Sequence, residues 1–213
     1  MGTKEELIQA VVELEEQNSY SLVKALLEEG VNPKEIIDIL RKGVETVGER
    51  FNNKEYFLTE LVMAGEIFQQ SAKILETAMK DETKMSESLG VVVIGTVKGD
   101  VHDIGKNIFV TLLQAAGFEV HDLGVDIAAE KFINKVKETK ADIVAYSGLL
   151  TIALESMKET TEALRSAGLR EKVKIIIGGL PVDEMWMKEV GADAYTDNAF
   201  NGVKIVTNWL KEG

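Results

Sequence analysis

The sequence of 213 residues contains no cysteine, only two prolines and only two histidines. Without cysteine the chain has no disulfides and no thiolate metal sites, which agrees with a reducing cytoplasm. The scarcity of proline and an apolar share of 45 % indicate a globular chain and not a disordered one. No apolar run approaches the ~20 residues that a membrane helix needs, so we expect a cytoplasmic protein without a membrane partner.

Basic residues are also in short supply. The chain has 24 lysines and arginines against 36 aspartates and glutamates, which gives a formal net charge of −12. Binding to a phosphate backbone requires a basic stripe, and neither half of the sequence offers one. We therefore expect no nucleic-acid partner, and the acidic surface mainly confers solubility.

The first half of the sequence reads as helices only. Apolar residues at helical spacing predict four helices joined by short loops, which indicates a small antiparallel bundle. Thr3 is the expected first cap, and Asn32-Pro33 is a clear helix start, with the cap followed by proline in the first turn. The predicted helices run from Thr3 to about Gln17, from about Ser19 to Glu29, from Pro33 towards Phe51, and from Leu58 to about Met79. The predicted helical domain covers residues 1–88, including a polar linker from about residue 81.

The second half, residues 89–213, alternates strands and helices. Continuously apolar strands such as VVVIG and KIIIGG are typical of a parallel sheet that helices cover on both faces. The predicted strands are Gly90–Gly95, Phe118–Leu123, Ile143–Ser147, Val173–Ile177 and Ala194–Thr196, with helices near 105–116, 129–139, 152–167, 183–190 and 199–211. This pattern predicts an α/β domain with a flavodoxin- or Rossmann-like, doubly wound sheet of five strands. If the strand order is 2-1-3-4-5, the loops 96–104 and 147–151 and the glycines at 178–179 converge on one ligand site.

The loop GTVKGDVHDIGKN, residues 95–107, resembles a phosphate-binding loop but does not fit one. Five residues separate Gly99 from Gly105 where the Walker A pattern has four, and Asn107 replaces the required hydroxyl. Asp100 and His102 are spaced i, i+2, so an extended backbone places both side chains on one side. The carboxylate can then accept the Nδ1–H of the imidazole and leave Nε2 free as a base or metal ligand.

Plainer interpretations of this histidine remain open. It could be a surface residue, while Asp100 or Asp103 caps the helix that starts near Ile104. A zinc or iron site is poorly supported because it needs three or four protein ligands, and His121 is expected to be structural. Hydrolysis through Ser147 is weakly supported, because YSGLL lacks the G-x-S-x-G elbow. A metal already held in a macrocycle, however, needs only a single axial donor from the protein.

Three separated motifs in this chain resemble the cobalamin-binding domain pattern D-x-H-x-x-G … S-x-L … G-G. They are Asp100–Gly105, Ser147-Gly148-Leu149 with Thr151, and Gly178-Gly179. The resemblance extends to GFEVHDLGVD at 117–126 and, in the first half, to VGERFNNKEYFLTELV, which is similar to the helical cap of methionine synthase and of small corrinoid proteins. It thus spans nearly the whole chain. Two departures from the family pattern are Thr59, where proline is usual, and Leu180, where a small residue is usual.

This resemblance implies a cobalamin cofactor bound base-off and His-on, with His102 as the lower axial ligand of cobalt. Asp100 would hydrogen-bond the imidazole, and Ser147 and Thr151 would offer hydroxyls to the displaced nucleotide tail. Phe51 and Leu58, otherwise expected in the bundle core, would shield the upper face of cobalt. The full set of cofactor-binding residues is Gly99, Asp100, Val101, His102, Asp103, Ile104, Gly105, Ser147, Leu149, Thr151, Gly178, Gly179, Ala199, Phe51 and Leu58.

The layout of helical cap plus corrinoid domain also resembles the shuttle subunits of anaerobic methyltransferase systems. The resemblance implies that a substrate-specific methyltransferase passes a methyl group to Co(I), and that a second methyltransferase moves it to tetrahydrofolate or a thiol. A reductive activator would be a further partner, and the chain would not be a complete enzyme alone. Overall resemblance favours aryl methyl ethers as donors, with methylamines, betaines and methanol as alternatives. The rival functions are the small subunit of a cobalamin-dependent mutase and a cobalamin-sensing regulator.

Overall fold

The computed structural model describes residues 4–78 and 88–211. The chain divides into two compact units, Met1–Glu87 and Ser88–Gly213. The predicted cap at Thr3, the end of the fourth helix at Met79 and most of the polar linker lie outside the described residues. Within the described ranges, no helix combines the length and the apolar character that crossing a bilayer requires.

The first unit contains four helices: α1 (Lys4–Val12), α2 (Glu16–Glu28), α3 (Pro33–Asn52) and α4 (Leu58–Ala78). The start of α3 is as predicted, since the Asn32 side chain accepts a hydrogen bond from the Lys34 N–H at 2.9 Å. The prediction that α1 continues to about Gln17 is wrong. The chain turns at Leu14, whose φ of 60° is left-handed and cannot continue the helix, and α2 then begins at Glu16.

A stripe of apolar side chains holds this helical unit together. The amphipathic helix α3 buries Ile36, Leu40 and Val47 completely, and Leu7 of α1 and Leu61 of α4 are equally buried. Full burial of each such side chain contributes about 1.5–3 kcal/mol. The predicted four-helix bundle is therefore confirmed.

The second unit is a five-stranded parallel sheet with helices in between, in the order β2-β1-β3-β4-β5. The strands are β1 (Val91–Thr96), β2 (Glu119–Asp122), β3 (Ile143–Ser147), β4 (Lys174–Gly178) and β5 (Ala194–Thr196). The helices are α5 (Ile104–Ala116), α6 (Ala129–Thr139), α7 (Ala153–Ser166), α8 (Glu184–Val190) and α9 (Ala199–Lys211), with a short 3-10 turn at Arg170–Lys172. The predicted α/β class and strand order are confirmed.

Both faces of the sheet are buried, as the apolar strands require. Val93, Val144 and Ile177 pack into one core layer, whereas Ile94 and Ile176 pack into the layer on the other face. The register then fixes where each strand stops. Thr96 pairs with Ser147, Ser147 with Gly178, and Gly178 with Thr196, so the last residues of four strands form one row at the carboxyl edge.

Candidate functional site

The reversal of strand order falls between β1 and β3, and the candidate site lies at this point of the carboxyl edge. Residues 97–103, which we call the ligand loop, connect β1 to α5. Residues 147–151 and 178–180, which we call the opposite edge, follow β3 and β4. Hydrogen bonds show that these segments converge, because the N–H groups of Leu149 and Leu150 donate to Asp100 Oδ2 at 2.6 and 2.9 Å. The Gly148 N–H donates to the carbonyl of Gly178 at 3.1 Å.

Asp100 is the fixed point of the ligand loop. Its carboxylate is fully buried and has both oxygens occupied: Oδ1 accepts the N–H of His102 at 3.0 Å and lies 2.7 Å from His102 Nδ1. Burial by itself would raise the pKa of this carboxyl. The hydrogen bonds from His102, Leu150 and Leu149 outweigh burial and lower the pKa to about 2. Asp100 is therefore a permanent carboxylate at neutral pH.

The hydrogen bond that the i, i+2 spacing predicts is present, and it decides how His102 is presented. An ionised carboxylate accepts, so Nδ1 carries a proton, and in the neutral imidazole Nε2 is the nitrogen with the free lone pair. The His102 side chain is 49 % exposed. Among the described residues, Nε2 has no hydrogen-bond partner. The site thus offers one oriented nitrogen donor to a ligand outside the chain.

Around this nitrogen the surface is open and apolar. Cβ atoms built on Gly99 and Gly105 would meet nothing within 4 Å. Val101 is 66 % exposed, and Ile104, at the start of α5, is 71 % exposed. Leu149 and Leu180 of the opposite edge are exposed as well. Exposed aliphatic side chains grouped around an oriented donor are what a large organic ligand would cover.

The opposite edge supplies hydroxyls without partners. Within the described part of the chain, neither Ser147 Oγ nor Thr151 Oγ1 makes a hydrogen bond. Gly178 adjoins Ser147 in the sheet, and Ala199 opens α9 behind β5. These side chains are therefore placed to donate to, or line, a ligand that extends from the ligand loop across the end of the sheet.

Two residues carry different roles from those the sequence suggests. Gly179 has φ +141°, and a Cβ there would lie 1.8 Å from the carbonyl oxygen of Gly148. The absent side chain is thus required by the protein's own backbone, and close approach of a ligand is not needed to explain it. Asp103 stands at the N-cap of α5, but its side chain makes no capping hydrogen bond and accepts from Asn107 instead. Asp100 does not cap this helix either.

Phe51 and Leu58 belong to the helical unit. Phe51 lies half-buried in the last turn of α3, and Leu58 is the partly exposed first residue of α4. Their proposed role above cobalt stays a prediction.

Three residues that hold the ligand loop were not among those predicted. Thr96 Oγ1 donates to the carbonyl of His102 at 2.9 Å, and Ser156 Oγ donates to the carbonyl of Lys98 at 2.8 Å. Asp126 accepts the Gly99 N–H on Oδ1 at 2.8 Å, and its own N–H donates to the Asp100 carbonyl at 3.0 Å. The one signal in the sequence was the aspartate in GVD, just after the second strand, because aspartate tolerates the positive φ found there, 53°.

The lysine of the Walker-like GKN segment is occupied within the fold. Lys106 is 3 % exposed, and its Nζ donates to Asp122 Oδ2 at 2.5 Å and to Asn107 Oδ1 at 2.7 Å. This ion pair joins the first turn of α5 to the end of β2, so Lys106 is not presented to a phosphate. His121 is likewise paired, with Glu119 at 2.9 Å.

Fold and site together define a class: a doubly wound α/β domain that presents one anchored imidazole among exposed aliphatic side chains at the carboxyl edge of its sheet. The described residues contain no group of three or more His, Asp and Glu side chains arranged to hold a bare metal ion. A metal centre that brings its own equatorial ligands matches this donor set.

The comparisons with known proteins identify the family. Residues 90–204 match the family described as "B12 binding domain", and residues 3–76 match a second family with the same description. Dimethylamine corrinoid protein 1 of Methanosarcina mazei is 41 % identical over 95 % of both chains. Trimethylamine corrinoid protein 2 of the same organism is 37 % identical over the full length of both. The chain therefore belongs to the family of B12-binding corrinoid proteins.

A solved structure shows the same architecture. The methanol:cobalamin methyltransferase complex of Methanosarcina barkeri contains a chain that is 27 % identical, with a TM-score of 0.86 over 97 % of this chain and 79 % of that one. That chain was solved as part of the methyltransferase complex.

Proposed function

We propose that this protein is the corrinoid methyl carrier of a methylamine methyltransferase system, with the corrinoid bound base-off and His-on. The observation that carries the proposal is the imidazole of His102, which Asp100 anchors through Nδ1 and which leaves Nε2 unpaired at a carboxyl edge rich in exposed aliphatic side chains. Family membership supports the cofactor class, and the geometry around His102 supports its Nε2 as the nitrogen that would bind cobalt.

His102 Nε2 would be the lower axial ligand, in the place that the corrinoid's own base leaves. Asp100 holds the ring in the tautomer that frees this nitrogen and, as a permanent carboxylate, raises its electron density. The ring edges would lie on the exposed aliphatic side chains, among them Val101, Ile104 and Leu149. The hydroxyls of Ser147 and Thr151 would donate to the tail along the opposite edge, beside Gly178 and Ala199.

When bound, the cobalt of the corrinoid supplies the chemistry of accepting and releasing a methyl group. The chain's own residues orient and tune it. The buried hydrogen bonds around Asp100 fix the position of His102 before the cofactor arrives, so little ordering is lost on binding. Because Nδ1–H is shared with Asp100, the imidazole would keep its orientation whether or not Nε2 holds the metal.

The methyl donor that we propose is a methylamine. The two curated relatives described above are dimethylamine and trimethylamine corrinoid proteins, aligned along nearly the whole chain. This replaces aryl methyl ethers, which overall resemblance alone favours. The partners would be a methylamine-specific methyltransferase, a second methyltransferase that uses tetrahydrofolate or a thiol, and a reductive activator. The location would be cytoplasmic. Phe51 and Leu58 would shield the upper face of cobalt.

Reconstitution tests the proposal directly. Purified apoprotein is incubated with hydroxocobalamin and desalted, and its visible spectrum and cobalt content are measured. We expect stoichiometric retention and a His-on spectrum. The variant His102→Ala should lose the His-on spectrum, whereas His121→Ala, the matched control at the second histidine, should keep it.

Failure of the folded wild type to retain the corrinoid would refute the central claim. An unchanged spectrum in His102→Ala would refute the role of this residue as ligand. The donor is tested separately, by assaying methylation of the reconstituted protein with methylamine-specific and aryl-ether-specific methyltransferases.

A further inference from the structure

We infer that Thr96, the last residue of β1, is a positioning residue that sets the direction of the His102 imidazole. This inference rests on the proposed role of His102 as the ligand of cobalt. It concerns a residue that touches neither the cofactor opening nor the imidazole ring, and its action passes through the backbone.

Thr96 is a buried polar residue whose hydroxyl donates a hydrogen bond to the backbone of the ligand loop. The side chain is 0 % exposed, and Oγ1 donates to the His102 carbonyl at 2.9 Å. Burying a hydroxyl without a hydrogen bond is costly, so this contact stabilises the loop conformation that supplies the acceptor.

The hydroxyl is anchored to the rigid part of the domain. Thr96 pairs with Ser147 in the sheet, its N–H donates to the Gly124 carbonyl at 3.0 Å, and its carbonyl accepts from the Ile127 N–H at 3.0 Å. Because threonine is β-branched, its χ1 angle is also restricted. Thr96 therefore offers the loop a donor whose position the sheet defines.

This donor completes the restraint of His102. The peptide group before His102 is held by Asp100, whose Oδ1 accepts the His102 N–H at 3.0 Å. The peptide group after it is held by Thr96. With both flanking peptide groups fixed, the Cα–Cβ bond of His102 has a defined direction. The contact between Asp100 Oδ1 and Nδ1 then fixes the rotation of the ring.

The surrounding junction has little else to hold that second peptide group. The Asp103 side chain makes no capping hydrogen bond at the start of α5, and Gly105 follows in the first turn. A glycine there leaves the backbone more freedom than any other residue would. Loss of the Thr96 hydroxyl should therefore let the 102–103 peptide rotate and displace Nε2 from its position.

The test compares Thr96→Val, which keeps the shape and removes the donor, with Thr96→Ser, which keeps the donor. Each protein is reconstituted with hydroxocobalamin and reduced to Co(II) at one fixed pH. The fraction of His-on centres is then read from the nitrogen splitting in the EPR spectrum and from the visible spectrum. We expect Thr96→Val to retain the corrinoid while its His-on to His-off ratio falls by about 3- to 10-fold, the size of one lost hydrogen bond. Thr96→Ser should match the wild type.

Thr139→Val controls for the loss of a partly buried threonine hydroxyl elsewhere, since Thr139 Oγ1 bonds only the Lys135 carbonyl within α6. It should leave the ratio unchanged. An unchanged ratio in Thr96→Val would overturn the inference while leaving the proposed function intact, and loss of corrinoid from the wild type would instead remove the proposed function. If Thr96→Val does not fold, Thr96→Ala removes the same donor without a second methyl group and is read in the same way.

Discussion

On the ligand loop, the polar groups around Asp100 are tied to neighbours, whereas on the opposite edge the hydroxyls of Ser147 and Thr151 have no partner within the described chain. Two buried side chains hold the loop: Asp100 within it, and Thr96 at the end of β1, whose hydroxyl donates to the His102 carbonyl. The opposite edge is held by a longer backbone hydrogen bond, since the Gly179 N–H lies 3.4 Å from the Thr196 carbonyl oxygen.

This difference indicates that the two sides of the candidate site have different functions. A metal ligand must hold one atom in one direction, so its surroundings are ordered in advance by buried hydrogen bonds. A slot for a long organic tail needs room and a few donors that the ligand itself satisfies on binding. Substitutions in the ligand loop and in the opposite edge test this difference.

The largest effect that we expect comes from Gly179→Ala. The new Cβ would lie 1.8 Å from the Gly148 carbonyl oxygen, and φ of +141° is strained for any L residue. We expect the apoprotein to lose more than about 3 kcal/mol of unfolding free energy, measured by urea denaturation.

Gly178→Ala is the matched control. Its Cβ would meet the Thr196 carbonyl at 3.5 Å, an ordinary contact, so the unfolding free energy should change by less than about 1 kcal/mol. Any loss of corrinoid binding by this variant would then reflect the proposed slot for the nucleotide tail and not a loss of folding. Equal destabilisation by the two substitutions would contradict the steric account.

A smaller effect is expected for Asp100→Ala, which leaves three backbone N–H groups, those of His102, Leu149 and Leu150, without the carboxylate that accepts from them. The apoprotein should lose about 2–4 kcal/mol of unfolding free energy. Ser147→Ala and Thr151→Ala remove hydroxyls that bond nothing in the described chain, so each should change it by less than about 0.5 kcal/mol. Comparable losses on both sides would show that the loop is not specially ordered.

The strand order and the residues that it brings together could be predicted from the sequence alone. Apolar strands and parallel topology predicted that Asp100, Ser147 and Gly178 would meet at one edge, and the i, i+2 spacing predicted the Asp100–His102 hydrogen bond. These inferences succeed because strand direction and side-chain alternation follow from local pattern.

The sequence could not reveal how the loop is held. The contacts of Thr96 with His102 and of Asp126 with Gly99 depend on the exact path of two loops, and no spacing rule encodes that path. The steric role of Gly179 depends on the Gly148 carbonyl, 31 residues away in the chain, which only the sheet register brings near. Likewise, the turn after α1 depends on a positive φ at Leu14, and leucine in the sequence does not indicate such a turn.

The last effect that we expect is a pH dependence of stability. The folded pKa of Asp100 is lowered to about 2, and its ordinary unfolded value is about 3.9. A carboxyl with a lowered folded pKa contributes stability that is fully present above the unfolded pKa and is lost as the pH falls through the folded pKa. The difference in unfolding free energy between wild-type apoprotein and Asp100→Asn should therefore be constant above about pH 5 and shrink between about pH 4 and 2. Urea denaturation of both proteins across this range measures it. If the difference in unfolding free energy between the two proteins instead grew as the pH fell, the loop would not stabilise the ionised carboxylate. The two sides of the site would then not differ in how they stabilise charge.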